Sequence, residues 1–214
     1  MRLWKLEIEN KTNVLAFAAL VLSLGALVGQ MSRFLIGPRL MLVPPDQVIL
    51  IKNTSAQNVD KVAVVVRMIY VNSGADGYSE IVLKERLSAK VGDDVWQFVS
   101  LNYVNPQRDK ATLLLQDKDT TDAVPFSVDS GKVVSHFTKY VPFAGPNNGS
   151  KPGYLVWSEL LNATKDMKPI SFAFTYQTVG KSSKEIRCRV DPSSLYDNLQ
   201  SKGWSAVPCV FYEA

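Results

Sequence analysis

The one histidine of this chain, His136, lies in the β-branched and aromatic run Val133-Val-Ser-His-Phe-Thr-Lys-Tyr140. An imidazole can act as general base for a serine, but such a serine sits on a G-x-S-x-G or comparable turn, and none accompanies His136. The expected role is a strand-face histidine hydrogen-bonded at the surface. Asp117, Asp119 and Asp122 are the one candidate ion site. A calcium loop starting at Asp117 needs glycine where Asp122 stands and a bidentate glutamate where Val128 stands, and Lys118 intrudes, so a solvated turn is expected. The glycines between Gly145 and Gly153 lack the G-x-x-x-x-G-K-[ST] order of a phosphate loop. No segment argues for a hydrolytic carboxylate pair. No catalytic residue, metal ligand or cofactor is assigned, and a non-enzymatic role is expected.

Cys188 and Cys209 carry the remaining side-chain chemistry. Their spacing and the single histidine do not suit zinc. In an oxidising compartment a bridge between them would close a loop of about 22 residues and stabilise the fold by roughly 3 kcal/mol in the chain-entropy model; the alternative is two buried thiols. The even count and an exported C-terminal region favour the disulfide.

These residues must be positioned by strands. From Leu40 onward the dominant period is two. Val62 to Val71 reads as a core strand that turns back at Asn72-Ser-Gly-Ala-Asp-Gly77, followed by strands over Ser79 to Ala89 and Val95 to Val104, making three hairpin-like units of an antiparallel sheet. Ala111 to Leu115, Val124 to Val128 and Lys132 to Phe143 are further strands, and the turn-rich Ala144 to Gly153 is a surface loop. Phe172, Phe174 and Tyr176 alternate with small or polar residues, as do Ile186, Cys188 and Val190 beyond the Val179 to Ser183 turn. This hairpin puts Cys188 on the buried face. Two short helices are expected. Tyr154 to Asp166 is amphipathic, and Pro192 to Lys202 is opened by Asp191 as N-cap and ended by Gly203. That second helix would be the crossover bringing the Cys209 segment beside the strand of Cys188.

A formal charge of +4, with lysines and arginines scattered along the chain, gives no clustered basic face interleaved with aromatics, which excludes nucleic acid as the expected partner. Hydrophobic content of 46% is enough for one domain with a real core.

The uncharged stretch from Asn13 to Ser32 is different in kind. Its roughly twenty helical residues at about 1.5 Å each match the hydrocarbon thickness of a bilayer. It is apolar all round, and the best signal-peptidase match, Ser23-Leu-Gly25, falls inside the run, so a retained anchor is expected over a cleaved signal. Arg2, Lys5 and Lys11 precede it and Arg33 and Arg39 follow, which leans towards a cytoplasmic N-terminus. Gly25 and Gly29 form a G-x-x-x-G pair that could pack against another helix, although glycine is common in membrane helices. The sequons at Asn10, Asn53, Asn148 and Asn162 are treated as chance.

The expected organisation is a cytoplasmic segment (1–12), a transmembrane anchor (13–32), a juxtamembrane linker (33–45) and an extracytoplasmic β-rich domain (46–214). The fold class is mainly β: an antiparallel, immunoglobulin-like β-sandwich with two accessory helices. The helix, the strand–Asn72-Ser-Gly74–strand unit and Trp96 give the chain an architecture that resembles bacterial membrane-anchored proteins with an immunoglobulin-like extracytoplasmic domain. That resemblance implies a periplasmic domain held at the inner membrane. The expected function is a recognition or assembly module whose partners are the lipid bilayer and a protein or a second copy of the chain. The alternatives are an envelope enzyme or a subunit docking through Gly25 and Gly29.

Overall fold

The computed structural model describes residues 2–36, 39–54, 59–74, 77–104, 120–143, 154–179 and 184–212. Asp117, Asp119, Asn148, the strand expected at 111–115 and the loop at 144–153 lie outside them.

The chain opens with α1 (Arg2–Ile36). Its window Val14–Met31 has a mean hydropathy of 2.1 and no part of it is buried against the rest of the protein. A helix apolar on every face gains nothing from one side of a soluble core, so this one has the length and composition of a membrane anchor or signal sequence.

After Arg39 the protein is mainly β. The first strands are β1 (Leu40–Val43), β2 (Gln47–Thr54) and β3 (Asp60–Asn72). Next come β4 (Glu80–Val91), β5 (Asp94–Val104), β6 (Thr120–Asp122), β7 (Phe126–Val128) and β8 (Val133–Pro142). After α2 (Trp157–Lys165), β9 (Ile170–Thr178) and β10 (Lys184–Val190) form the expected hairpin. A 3-10 turn (Pro192–Ser194), α3 (Tyr196–Lys202), β11 (Trp204–Pro208) and β12 (Val210–Tyr212) complete the chain. β1 falls within the stretch read as a linker; Leu40 and Leu42 are buried and pair across from Asn72 and Tyr70.

Among the described residues all twelve strands belong to one antiparallel sheet, in the order β11-β2-β3-β8-β5-β4-β9-β10-β12, with β1 on β3, β6 on β5 and β7 on β4. The two ends of this order are neighbours in the chain, since only Cys209 separates β11 from β12. The sheet therefore curls until it nearly closes as a barrel, which leaves few open edges. The immunoglobulin-like sandwich is narrowed to this: mainly β, antiparallel and barrel-like.

The expected hairpin after Val71 is replaced by a crossing. β8 and β5 lie between β3 and β4, so the chain after Asn72 passes over one end of the barrel. Asn72, fully buried, fixes that passage: its Oδ1 accepts from the Gly74 and Arg39 amides (3.0 and 3.3 Å), and its Nδ2 donates to the Val128 and Tyr78 carbonyls (2.9 and 3.1 Å). A turn-rich sequence was read as a local reversal, but a buried amide with four partners holds a longer-range connection.

β4 and β5 do turn directly, at Gly92, whose φ of 62° suits the first position of a primed hairpin turn. At that end α2 and α3 stopper the barrel, and Leu155, Trp157, Leu160, Leu195 and Leu199 join one core cluster with the inward residues of β3 and β9. Gly203 ends α3 at a φ of 70°, as its position in the sequence predicts.

Candidate functional site

β4 is apolar at every second residue: Ile81, Leu83, Leu87, Ala89 and Val91, with Glu85 in the same phase. A strictly regular strand would bury them all or expose them all. A register shift against β9 between Val82 and Lys84 breaks the phase instead. Val82 faces in before it, Glu85 and Leu87 face in after it, and Ile81 and Leu83 are left exposed. A second shift, between Ser100 and Asn102 of β5 against β8, follows the same logic: Trp96 and Phe98 are buried before it and the Tyr103 ring meets His136 after it. Bulges of this kind re-aim side chains, and here two of them aim into one place.

Glu85 occupies that place at 1% exposure. Its Oε1 accepts a short hydrogen bond from the Tyr70 hydroxyl and a second from His136 Nε2 at 3.2 Å, while Oε2 accepts from Thr138 Oγ1 at 3.0 Å. A carboxylate is an acceptor only, so the Nε2 position of His136 carries the proton in this arrangement. Three donors offset a desolvation that would otherwise be prohibitive. β8 supplies two of them because His136 and Thr138 are two residues apart and share its inner face. The imidazole is then enclosed by aromatic rings: Tyr103 at 4.2 Å between centroids, Phe126 edge-on at 4.9 Å and Tyr70 stacked at 5.9 Å. His136 thus sits inside the barrel wall with a side chain 15% exposed, not at the surface as expected.

A carboxylate–imidazole couple is the base half of a hydrolytic triad. In such a triad the imidazole also faces a nucleophile, whereas here its ring is covered by Tyr70, Tyr103 and Phe126. The pair is built as a packed polar knot. β4 and β5 part beside it, Ser100 Oγ donating to the Glu85 carbonyl (3.2 Å) across the gap, and a pocket of about 200 Å³ lined by Val82, Lys84, Ser100, Tyr103 and Val124 opens there. The Tyr140 hydroxyl, fully buried, makes no hydrogen bond to any described residue.

The knot ties stability to alkaline pH. Burial, and then the charge of Glu85, pushes the Tyr70, Tyr103 and Tyr140 phenols well above their ordinary value. Burial, and then Glu80, raises Tyr176. In the unfolded chain these phenols lose their protons near pH 10 while the folded barrel retains them. Their contribution is complete below about pH 10 and is lost as pH rises through the folded values. Thermal melts should hold level from neutrality to about pH 9 and fall steeply beyond it. A melting temperature that stays level well past about pH 10 would contradict this.

A second concavity, of about 640 Å³, lies outside the barrel between β10, β12 and the end of α2, lined by Met167, Pro169, Arg189, Val210, Phe211 and Tyr212. Val210 and Met167 are 69% and 56% exposed. Met167 has a φ of 55° where the C-terminus of α2 would favour glycine. Its amide donates to the Thr164 carbonyl at 3.2 Å and that of Lys168 to Ala163 at 2.9 Å. A left-handed side-chain-bearing residue costs about 1–2 kcal/mol, and that strain holds a flexible apolar side chain at the groove.

Of the residues singled out in the sequence, Cys188 and Cys209 are brought together: both are buried, at disulfide distance, with Cα atoms 5.4 Å apart. They join the two ends of the sheet, since β12 pairs with β10 while β11 pairs with β2. Gly25 and Gly29 stand on the exposed helix, where a Cβ on either would meet nothing within 4 Å. Asp122 Oδ1 accepts from Asn102 Nδ2 at 3.4 Å. Among the described residues no group of three or more histidine, cysteine, aspartate or glutamate side chains could hold a metal ion. Glu85 was missed, although an acid inside an otherwise apolar stripe was visible. No protein-family model, no curated protein and no solved structure matches this chain.

Proposed function

We propose that this protein is a single-pass, membrane-anchored recognition or assembly module, non-enzymatic, with its barrel on the periplasmic side of the inner membrane. The observation that carries the reading is the groove beside β12: exposed Val210 and strained Met167 border an apolar concavity on a domain whose N-terminal helix suits a bilayer. Strain retained at a surface, with no core to fill, is what a binding function leaves behind. The partner is a protein that offers apolar side chains to the groove. The buried cysteine pair supports an oxidising location, where the two thiols join as a disulfide. The Glu85 knot supports a scaffold role, because three donors of the same chain already engage its carboxylate. The immunoglobulin-like character belongs to this proposal as a role, a sheet-built domain presenting edges and loops, more than as a strand order.

Met167→Gly separates binding from folding. Relieving the left-handed strain raises stability by about 1 kcal/mol, and removing the side chain weakens the partner. The measurement is a thermal melt beside photo-crosslinking in native membranes from a probe at position 210. The expected result is a higher melting temperature with loss of a discrete adduct. An adduct of undiminished yield would remove the groove from the function.

A further inference from the structure

The barrel end that receives the anchor is built differently from the end closed by α2 and α3. Ile36 ends the helix and Leu40 begins β1, so at full extension their Cα atoms are within about 14 Å of each other. The arrival point is rigid. Arg39 is held by Asn72 and Ser73 through its amide and carbonyl (3.3 and 3.1 Å), and the Leu40 carbonyl accepts from Tyr176 Oη (3.2 Å) and Lys184 Nζ (3.3 Å). Around this end stand four exposed apolar side chains from four segments: Met41 (56%), Ile81 (42%), Val133 (62%) and Val179 (53%). The topology puts them on one rim. Val133 pairs with Val71 beside Asn72, and the Val179 amide donates to the Ile81 carbonyl (3.3 Å). Arg39, Lys132 and Lys184 are exposed among them. Among the described acids there, Glu80 is turned inward at 4% exposure and the exposed Asp129 accepts from Ser79 Oγ (2.8 Å).

We infer that this rim is a lipid-docking surface, on which the barrel rests against the bilayer with Met41, Ile81, Val133 and Val179 at the headgroup level and Arg39, Lys132 and Lys184 facing anionic lipid. The inference rests on the anchor reading above. A short tether into a fixed point leaves the rim no distance to retreat from the surface, so apolar residues that would be a liability on a free domain gain a partner. Each basic residue near an anionic leaflet is worth about fivefold in surface occupancy. The tethered end is thereby covered and the groove at β12 is left to the solvent.

The test uses the full chain, oxidised so that Cys188 and Cys209 are paired, with one fluorophore on Val133→Cys, Val179→Cys or, as control at the Gly92 end, Val95→Cys. Each is reconstituted in zwitterionic vesicles with or without phosphatidylglycerol and a lipid-borne quencher. Quenching several-fold greater at 133 and 179 than at 95, reduced by Lys132→Glu with Arg39→Glu in the anionic vesicles alone, is the expected result. Val179 lies just beyond β9, so its variant preserves the test if a label at 133 disturbs the sheet. Equal quenching at all three positions in a chain that resists alkaline carbonate extraction overturns the docking surface and leaves the anchor standing. Extraction of the chain by carbonate overturns the anchor and the docking surface together.

Discussion

Replacing Glu85 with alanine should lower the unfolding free energy by about 3–5 kcal/mol, the range for removing one member of a buried, hydrogen-bonded charged group. The lost interaction is the smaller part of the effect. Alanine leaves the Tyr70 and Thr138 hydroxyls and the His136 Nε2 proton buried or nearly so without their acceptor, and it opens a void where the carboxylate was packed. At about 2–4 °C per kcal/mol for a domain of this size, the melting temperature should fall by roughly 6–20 °C. Glu85→Gln keeps the volume but turns an amide N–H₂ towards one of the donors, and should cost less, about 1–2 kcal/mol. Tyr70→Phe supplies the internal control. Made alone it removes one donor from Glu85, whereas in the Glu85→Ala background it removes an orphaned hydroxyl and should be nearly neutral. Denaturant unfolding of the detergent-solubilised chain measures all four. An alanine variant within about 0.5 kcal/mol of the parent would show that the knot holds nothing together.

The disulfide proposed for the Cys188–Cys209 pair should contribute about 3 kcal/mol, lost on reduction or in Cys209→Ser, from the entropy that a loop of about 22 residues returns to the unfolded chain. Its local effect is more specific. β11 is held by β2 and β12 by β10, so the cysteine pair spans the place where the sheet meets itself. Freed of it, the closing segment keeps its backbone pairs but loses the link that makes them cooperate. Amide exchange should then accelerate in Trp204–Pro208 and Val210–Tyr212 while the fully buried centre of β3 exchanges only with global unfolding. Alkylation of the unreduced protein followed by mass analysis is the prior check, and two alkylated thiols would end the argument. Together with the loss of Glu85, reduction should consume much of the 5–15 kcal/mol typical of a domain, so the doubly perturbed barrel should be close to unfolding.

How far the sequence exposes this architecture depends on whether the governing signal is periodic. The hairpin of β9 and β10 was legible because Phe172, Phe174 and Tyr176 and then Ile186, Cys188 and Val190 keep one phase throughout. The apolar helix was legible from length alone, and the end of α3 from Gly203; its start was not, because Asp191 caps the separate 3-10 turn Pro192–Ser194 and α3 begins only at Tyr196. Glu85 was not, because two bulges set its environment, and a bulge leaves no mark in composition. Only the acid's place among Ile81, Leu83, Leu87 and Ala89 hinted at it. The crossing of β3 to β4 was hidden for a related reason. Asn72 has the composition of a turn residue, and only its four partners, from segments as distant as Arg39 and Val128, turn it into a tie across the barrel mouth. His136 was placed on a strand correctly and given the wrong face, since no local pattern announces an acceptor 51 residues away.

The ladder that begins with β2 is completed by β11, so the first long strand of the domain finds one of its two neighbours only among the last residues described. For a chain made from its N-terminus, the edge of Gln47–Thr54 emerges early and stays unpaired until Trp204 to Pro208 arrive. Pairing so distant in sequence is slow, and an open β edge is sticky while it waits. The barrel's birth is therefore its most exposed moment. Cells making this protein should depend on a holding chaperone in proportion to how long synthesis of the C-terminal third is delayed.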